Sequence, residues 1–189
     1  VLYASHAQPA VMPISPASPY YPDSLEEELA YAPQQAAQLL EEAGGGRSLK
    51  FVAPSGNSAR AASAELLANG LTELGFQVEL RLLTWSDYLA ALEAGEFDLY
   101  LGEVRLTADF DLTALLTAGG SLNYGGYADE QAALLLQQYR AVSGQGRDLS
   151  ARRLYQRLAE EPPFAVLCFK NWSVLTQWSR ISNLTPTQQ

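Results

Sequence analysis

The stretch LANGLTELGFQVELRLLTWSDYLAALEAGEFDLYLGEV, residues 67–104, decides the fold class. It opens on the end of a helix that Gly75 stops. In FQVELRLL (76–83), Phe76, Val78, Leu80 and Leu82 fall on one face, the two-residue period of a strand. Thr84 and Asp87 stand as a capping box before the next periodic run, which sets a helix over 85–94, and Gly95 closes it. Residues 97–104 read as the third strand, an apolar run interrupted by Asp98 and, near its end, carrying Glu103; apolar side chains on both faces suit a parallel strand covered by helices. Strand, helix and strand in this order make a βαβ unit with a right-handed crossover.

The pattern extends in both directions. Upstream, Ala62, Leu66, Leu67, Leu71 and Leu74 recur at helical spacing over 58–74, with Ser55 or Asn57 as the cap. SLKFVA (48–53) is a short strand. A helix over 33–43 has Pro33 in its first turn, Ala36, Leu39, Leu40 and Ala43 on one side, and Gly44 at its end. The triple glycine 44–46 follows a helix rather than opening one, so it reads as a cap and turn, not a phosphate loop. Residues 1–32 hold Pro9, Pro13, Pro16, Pro19 and Pro22 and form an extended arm packing on the α/β unit of 33–189.

Downstream, a short helix (111–117) leads to the loop GGSLNYGGY (119–127). Helices follow over 129–142 and 149–160, the second capped by Asp148 or Ser150 and ended by Pro162 and Pro163. FAVLCFK (164–170) is a strand, and WSVLTQWS (172–179) a further extended segment with Trp172 and Trp178 on one face. The whole order fits an α/β fold, an open mixed sheet covered by helices.

The chain has 189 residues, enough for one domain with a sizeable core. Its formal net charge is −9, and its tightest cation group, Arg147, Arg152, Arg153 and Arg157, lies beside Glu160 and Glu161. That is a solvated helix face, and no nucleic-acid partner is expected. Cys168 is the one cysteine, so no disulfide forms within the chain, and it reads as a small buried hydrophobe. No run reaches the ~18 apolar residues of a membrane span. VLYASHAQPAVMPISP lacks the basic start and apolar block of a secretion signal. Because the chain begins at Val, a fragment or processed product is expected.

No G-x-S-x-G, P-loop, H-E-x-x-H or metal-spaced Cys/His pattern occurs. The one histidine, His6, argues against a Ser–His–Asp arrangement. No catalysis, cofactor or metal is expected. Glu103, Asp109 and Asp111 form an acidic group after the third strand. They suit either acid–base or cation chemistry, or helix capping by the two aspartates with Glu103 paired to Arg105. Ligands of open α/β sheets bind outside the carboxyl ends of the strands. That edge should carry the turn 54–57, Trp85, and Glu103, Arg105 and Asp109. Asn123 and Tyr124 belong to a long loop, the usual place for recognition.

These segments carry a resemblance. AQPA (7–10), MPI (12–14), YAPQQAAQLLEEAG (31–44), LGFQVEL (74–80), WSDY (85–88), GEFDL (95–99), NYGGY (123–127) and EPP (161–163) occur in the order and spacing of one family. The chain resembles the C-terminal lobe of the family 5 extracellular solute-binding proteins, the oligopeptide-, dipeptide- and nickel-binding components of ABC importers. The resemblance implies one lobe of a type II periplasmic-binding-protein fold, its partner lobe expected upstream of Val1. It implies capture of a peptide or other small solute between lobes, delivery to a membrane permease, and an extracytoplasmic location as a lipoprotein or in a periplasm. It also implies that Asp109, in Thr-Ala-Asp-Phe-Asp, neutralises a peptide's α-amino group. Peptide binders often show a Gly-Trp pair just before that point, where this chain has Gly102-Glu103-Val104-Arg105. The expected ligand-binding residues are Asp109, Glu103, Arg105, Asn123, Tyr124 and Trp85. The alternatives are a sensor lobe of a regulator and a small hydrolase using Glu103, Asp109 and Asp111.

Overall fold

A computed structural model of the chain describes Tyr3 and residues 6–171. The expected extended segment at 172–179 lies outside the described residues. A parallel sheet is built from β2 (Ser48–Pro54) at the centre, flanked by β3 (Gln77–Leu83) and β4 (Leu99–Tyr100). Ser48 stands opposite Gln77, Pro54 opposite Leu83, and Phe51 opposite Leu99. The crossovers are α3 (Ser58–Glu73) and α4 (Trp85–Ala94). The central strand alternates its side chains: Phe51 and Ala53 pack with Ala64 and Ala68 of α3, and Val52 meets Tyr88 and Leu92 of α4. Both faces of β2 are thus covered, as a parallel strand requires.

Local chemistry sets the element ends. The Asn57 side chain accepts the Arg60 N–H at 3.0 Å and caps α3. Thr84 caps α4 by accepting the Asp87 N–H, and Gly95 ends it with φ +67°. The inward face of α3 differs from the expected leucine stripe. Ser63, Ala64 and Ala68 are buried, and Leu66 is 63% exposed. Small side chains let the helix lie close on the sheet, which leaves the larger leucine pointing outward.

The third strand is also shorter than the expected 97–104. The Asp98 carboxylate takes the Lys50 N–H at 2.7 Å, and the Leu101 N–H reaches the Val52 carbonyl at 3.0 Å. Beyond that bond the chain leaves the ladder, and Glu103 turns to cations from other elements.

A helical layer forms the second core. α5 (Thr113–Leu116), α6 (Glu130–Ala141) and α7 (Gln145–Glu160) bury Leu112, Leu116, Leu136, Tyr139, Leu154 and Tyr155. The arm contributes Met12, Ile14 and Tyr21 to this cluster, with Leu25 from a short unforeseen helix, α1 (Asp23–Glu28). α2 (Pro33–Glu42) packs lightly and buries none of its residues. α7 begins before the expected caps. Gly144, at φ +66°, precedes it, and Asp148 sits inside the helix bonded to Arg152 at 3.1 Å.

The described strands of this α/β fold form two sheets. β1 (Ala7–Pro9) and β5 (Cys168–Lys170) pair antiparallel as a separate ribbon, Ala7 opposite Lys170. Pro9 has no N–H to give, which keeps β1 short. Cys168 is half-buried there rather than buried, and desolvation pushes its thiol pKa up.

Asp129 ties the helical layer together. One oxygen accepts the Ala132 N–H at 2.9 Å and caps α6; the other takes Nε and Nη2 of Arg157 at 2.8 and 2.6 Å. The Ala132 bond first, and then Arg157, hold this carboxyl below its ordinary range. A carboxyl depressed in the folded state adds stability above its unfolded pKa of about 4 and loses it as pH falls through the folded value. Asp129→Asn keeps a capping oxygen and removes the charge. The variant should melt below the parent at pH 7, with the gap closing under acid. A gap independent of pH in thermal melts would contradict this account.

Candidate functional site

The carboxyl ends of β2, β3 and β4 open on one edge. After β2, Ser55 bonds the Leu83 carbonyl through its N–H at 2.7 Å and its hydroxyl at 2.8 Å. After β3, Trp85 is 57% exposed, with its ring 5.6 Å from that of Tyr88. Tyr88 is buried and donates to the Leu101 carbonyl at 2.9 Å. Burial pushes its hydroxyl up to about 12, so it stays a donor at neutral pH. Tyr124 meets Tyr100 edge to face at 6.1 Å. Trp85, Tyr100 and Tyr124 therefore give this edge an aromatic character, backed by the buried Tyr88.

Glu103 meets cations from two distant elements. Its carboxylate lies 3.1 Å from Arg60 Nε on α3 and 2.9 Å from Lys170 Nζ on β5. Arg105 is exposed and lines a hollow of about 460 Å³ with Leu106, Thr107, Asp111, Thr113 and Leu122. A second hollow, about 550 Å³ around Gly44, Gly45, Gly46 and Gly75, lies at the opposite edge, where β2 and β3 begin. Glu41 is its one ionisable side chain.

Asp109 has a fixed backbone and an exposed carboxylate. Its carbonyl accepts the Tyr139 hydroxyl at 2.9 Å and Arg147 Nη2 at 2.8 Å. Arg147 is itself stacked 4.4 Å over the Tyr139 ring. The next residue, Phe110, has φ +54°, a left-handed conformation that costs a bulky side chain roughly 1–3 kcal/mol. Its ring packs on Phe169 at 6.1 Å, and its N–H closes a turn onto the Thr107 carbonyl at 2.9 Å. A hydrogen bond from the Thr107 side chain, with help from the Arg147 and Arg140 charges, holds the Asp109 carboxyl below its ordinary range. The bonds from Tyr139 and Arg147 to Asp109 were not legible in the sequence: one is a core position of α6, and the other sits in an arginine-rich run.

Asp111 and Asn123 serve the backbone. Asp111 accepts the Thr113 N–H at 2.9 Å and the Thr113 hydroxyl, starting α5, and lies 3.3 Å from Arg140. Asn123 donates to the Thr117 and Tyr127 carbonyls at 3.0 and 2.8 Å and accepts the Tyr127 N–H at 2.8 Å. Its amide pins the loop that presents Tyr124. Among the described residues, no three His, Cys, Asp or Glu side chains converge as metal ligands. Glu103 is paired with Arg60 and Lys170, and Asp111 with Arg140.

The same loop tolerates no side chain at Gly120, where a Cβ would run into the Ala114 carbonyl. Gly120→Ala should destabilise the protein by about 1–3 kcal/mol in urea denaturation. An unchanged midpoint would mean that the loop moves without cost.

Residues 1–125 match the model for bacterial extracellular solute-binding proteins, family 5 Middle. The chain belongs to this family. It is 30% identical over 108 residues to di/tripeptide-binding protein 2 of Pseudomonas aeruginosa, covering 53% of this chain and 20% of that protein. In fold it is similar to a periplasmic oligopeptide-binding protein of Thermotoga maritima solved with mannohexaose, at TM-score 0.78 and 21% identity, over 90% of this chain and 38% of that one. It is also similar to the oligopeptide-binding protein AppA of Bacillus subtilis in complex with a nonapeptide, at TM-score 0.74 and 22% identity, over 89% and 38% of the two chains. NikA of Staphylococcus aureus, solved with a nickel–histidine complex, gives TM-score 0.77 at 16% identity, over 89% and 37%. The chain thus spans well under half the length of these relatives.

Proposed function

We propose that the chain forms one lobe of an extracytoplasmic receptor that captures peptides and delivers them to the permease of an ABC importer, without catalysis of its own. The observation that carries this reading is Asp109: an exposed carboxylate on a backbone fixed by Tyr139 and Arg147. A carboxylate fixed through its backbone suits a peptide's α-ammonium, and a charge-assisted hydrogen bond in a closing cleft is a strong anchor. Trp85 and Tyr124 offer flat surface to the peptide, Arg105 borders the hollow beside the anchor, and Asn123 holds Tyr124 in place. Closure by a second lobe would bury the ligand from both sides. The similarity to a di/tripeptide-binding protein supports the ligand class.

Calorimetry of the full-length protein with short peptides, mannohexaose and a nickel–histidine complex tests the reading. Binding of peptides alone is expected. Binding of the sugar or the chelate, with none of any peptide, would sink the peptide assignment.

A further inference from the structure

Tyr155, on α7, carries a hydroxyl that the packing leaves without a partner. The residue is 0% exposed, and among the described residues its oxygen makes no well-directed hydrogen bond. A buried hydroxyl in that state costs free energy that a phenylalanine ring at the same place would not. Its surroundings lead to Asp109. The Tyr155 ring meets the Tyr139 ring at 6.3 Å, tilted toward edge-to-face, and Arg147 stacks on Tyr139 at 4.4 Å. Tyr139 is buried as well, so its ring is held by both neighbours. The Tyr139 hydroxyl donates its one proton to the Asp109 carbonyl at 2.9 Å, and its oxygen remains an acceptor. Tyr155 is a donor beside it. Burial above all, and then the adjoining Tyr139, hold the Tyr155 hydroxyl far above its usual pKa, so it keeps its proton at neutral pH. The two hydroxyls thus adjoin without being aligned.

We propose that Tyr155 is a positioning residue for the peptide anchor. When a ligand ammonium loads Asp109, Tyr155 donates to the Tyr139 oxygen and completes a chain from Tyr155 through Tyr139 to the Asp109 carbonyl. This rests on the reading of Asp109 as that anchor and adds what stiffens it. The ammonium draws Asp109 toward the ligand, and Tyr139 follows because its hydroxyl holds the Asp109 carbonyl. A small shift of Tyr139 aligns two hydroxyls that already adjoin. Once Tyr155 donates, the single Tyr139 proton is committed to the Asp109 carbonyl, and each bond polarises the next. A hydroxyl bonded only in the ligated state contributes to affinity and not to the stability of the free protein. A hydroxyl that serves packing alone does the reverse.

Tyr155→Phe keeps the ring and removes the hydroxyl. Calorimetry of the full-length protein with trialanine and its N-acetylated form, beside chemical denaturation without ligand, separates the two roles. In the variant, trialanine should bind roughly three- to tenfold more weakly and acetylated trialanine as before. The denaturation midpoint should stay level or rise. Tyr139→Phe should lose the same preference for the free amine. Tyr155→Phe added to it should change that preference no further, because the chain is already cut. An unchanged preference in Tyr155→Phe, with a lower midpoint or without one, would overturn the positioning role and leave the Asp109 anchor standing. A further loss of preference in the double variant would overturn the chain as the route. A parent that binds the two peptides equally overturns the anchor, and the chain with it.

Discussion

Leu154→Ala should lower the unfolding free energy by about 2–5 kcal/mol. Leu154 is fully buried on α7, between Ala151 and Leu158 and against Leu136 and Tyr139 of α6. Truncation removes its transfer free energy and leaves a cavity that helices fixed by the Asp129–Arg157 pair cannot readily close. Total stability of a domain is about 5–15 kcal/mol, so the change is a large share of it. Leu149→Ala on the same helix is the control. That side chain is 54% exposed, and its loss should move stability by less than about 0.5 kcal/mol. Chemical denaturation of both variants reads the contrast. Similar midpoints would show that α6 and α7 do not form the second core. The consequence reaches the ligand edge, because α6 carries Tyr139 and α7 carries Arg147, the two donors that hold Asp109.

Asp109→Asn is the second large effect, and it falls on affinity rather than stability. The carboxylate is exposed, and the bonds that fix this residue run to its backbone carbonyl, which the variant retains. Folding should lose only a little stability, from the exposed carboxylate's bond to Thr107. Hydrogen bonds to charged groups contribute about 1.5–3 kcal/mol, so the free-amine peptide should bind roughly 10- to 100-fold more weakly. The acidity of Asp109 gives a pH signature too. Thr107 above all holds the carboxyl below its usual range, so the anchor should persist through mildly acidic pH and weaken only when the carboxylate is protonated.

Much of the fold was legible because its signals were local. Asn57, Thr84 and Gly95 mark helix ends through groups within a few residues, and they act where the spacing places them. The consecutive apolar residues Phe51, Val52 and Ala53 likewise mark the part of β2 covered on both faces. What escaped was set by long-range partners. Leu66 follows helical spacing as well as Ala64 does, and only the close approach of α3 to the sheet chooses the alanine face. The pairing of Pro9 with Cys168 joins residues from the two ends of the described chain, and no local pattern announces it. The carboxyl edge followed from topology, and Trp85 and Glu103 follow the ends of β3 and β4 there. The roles did not. Asn123 looks like a loop recognition residue but spends its amide on Thr117 and Tyr127, and Glu103 lies against Arg60 and Lys170, far away in sequence.

The most direct measurement is a four-way calorimetric cycle on the full-length protein, pairing the parent and Asp109→Asn with a tripeptide and its N-acetylated form. Acetylation removes the ammonium that Asp109 is proposed to hold. The account predicts that acetylation weakens binding to the parent by roughly 10- to 100-fold and leaves binding to Asp109→Asn nearly unchanged. Equal affinity of the parent for both peptides, or an acetylation penalty that survives in Asp109→Asn, would contradict it.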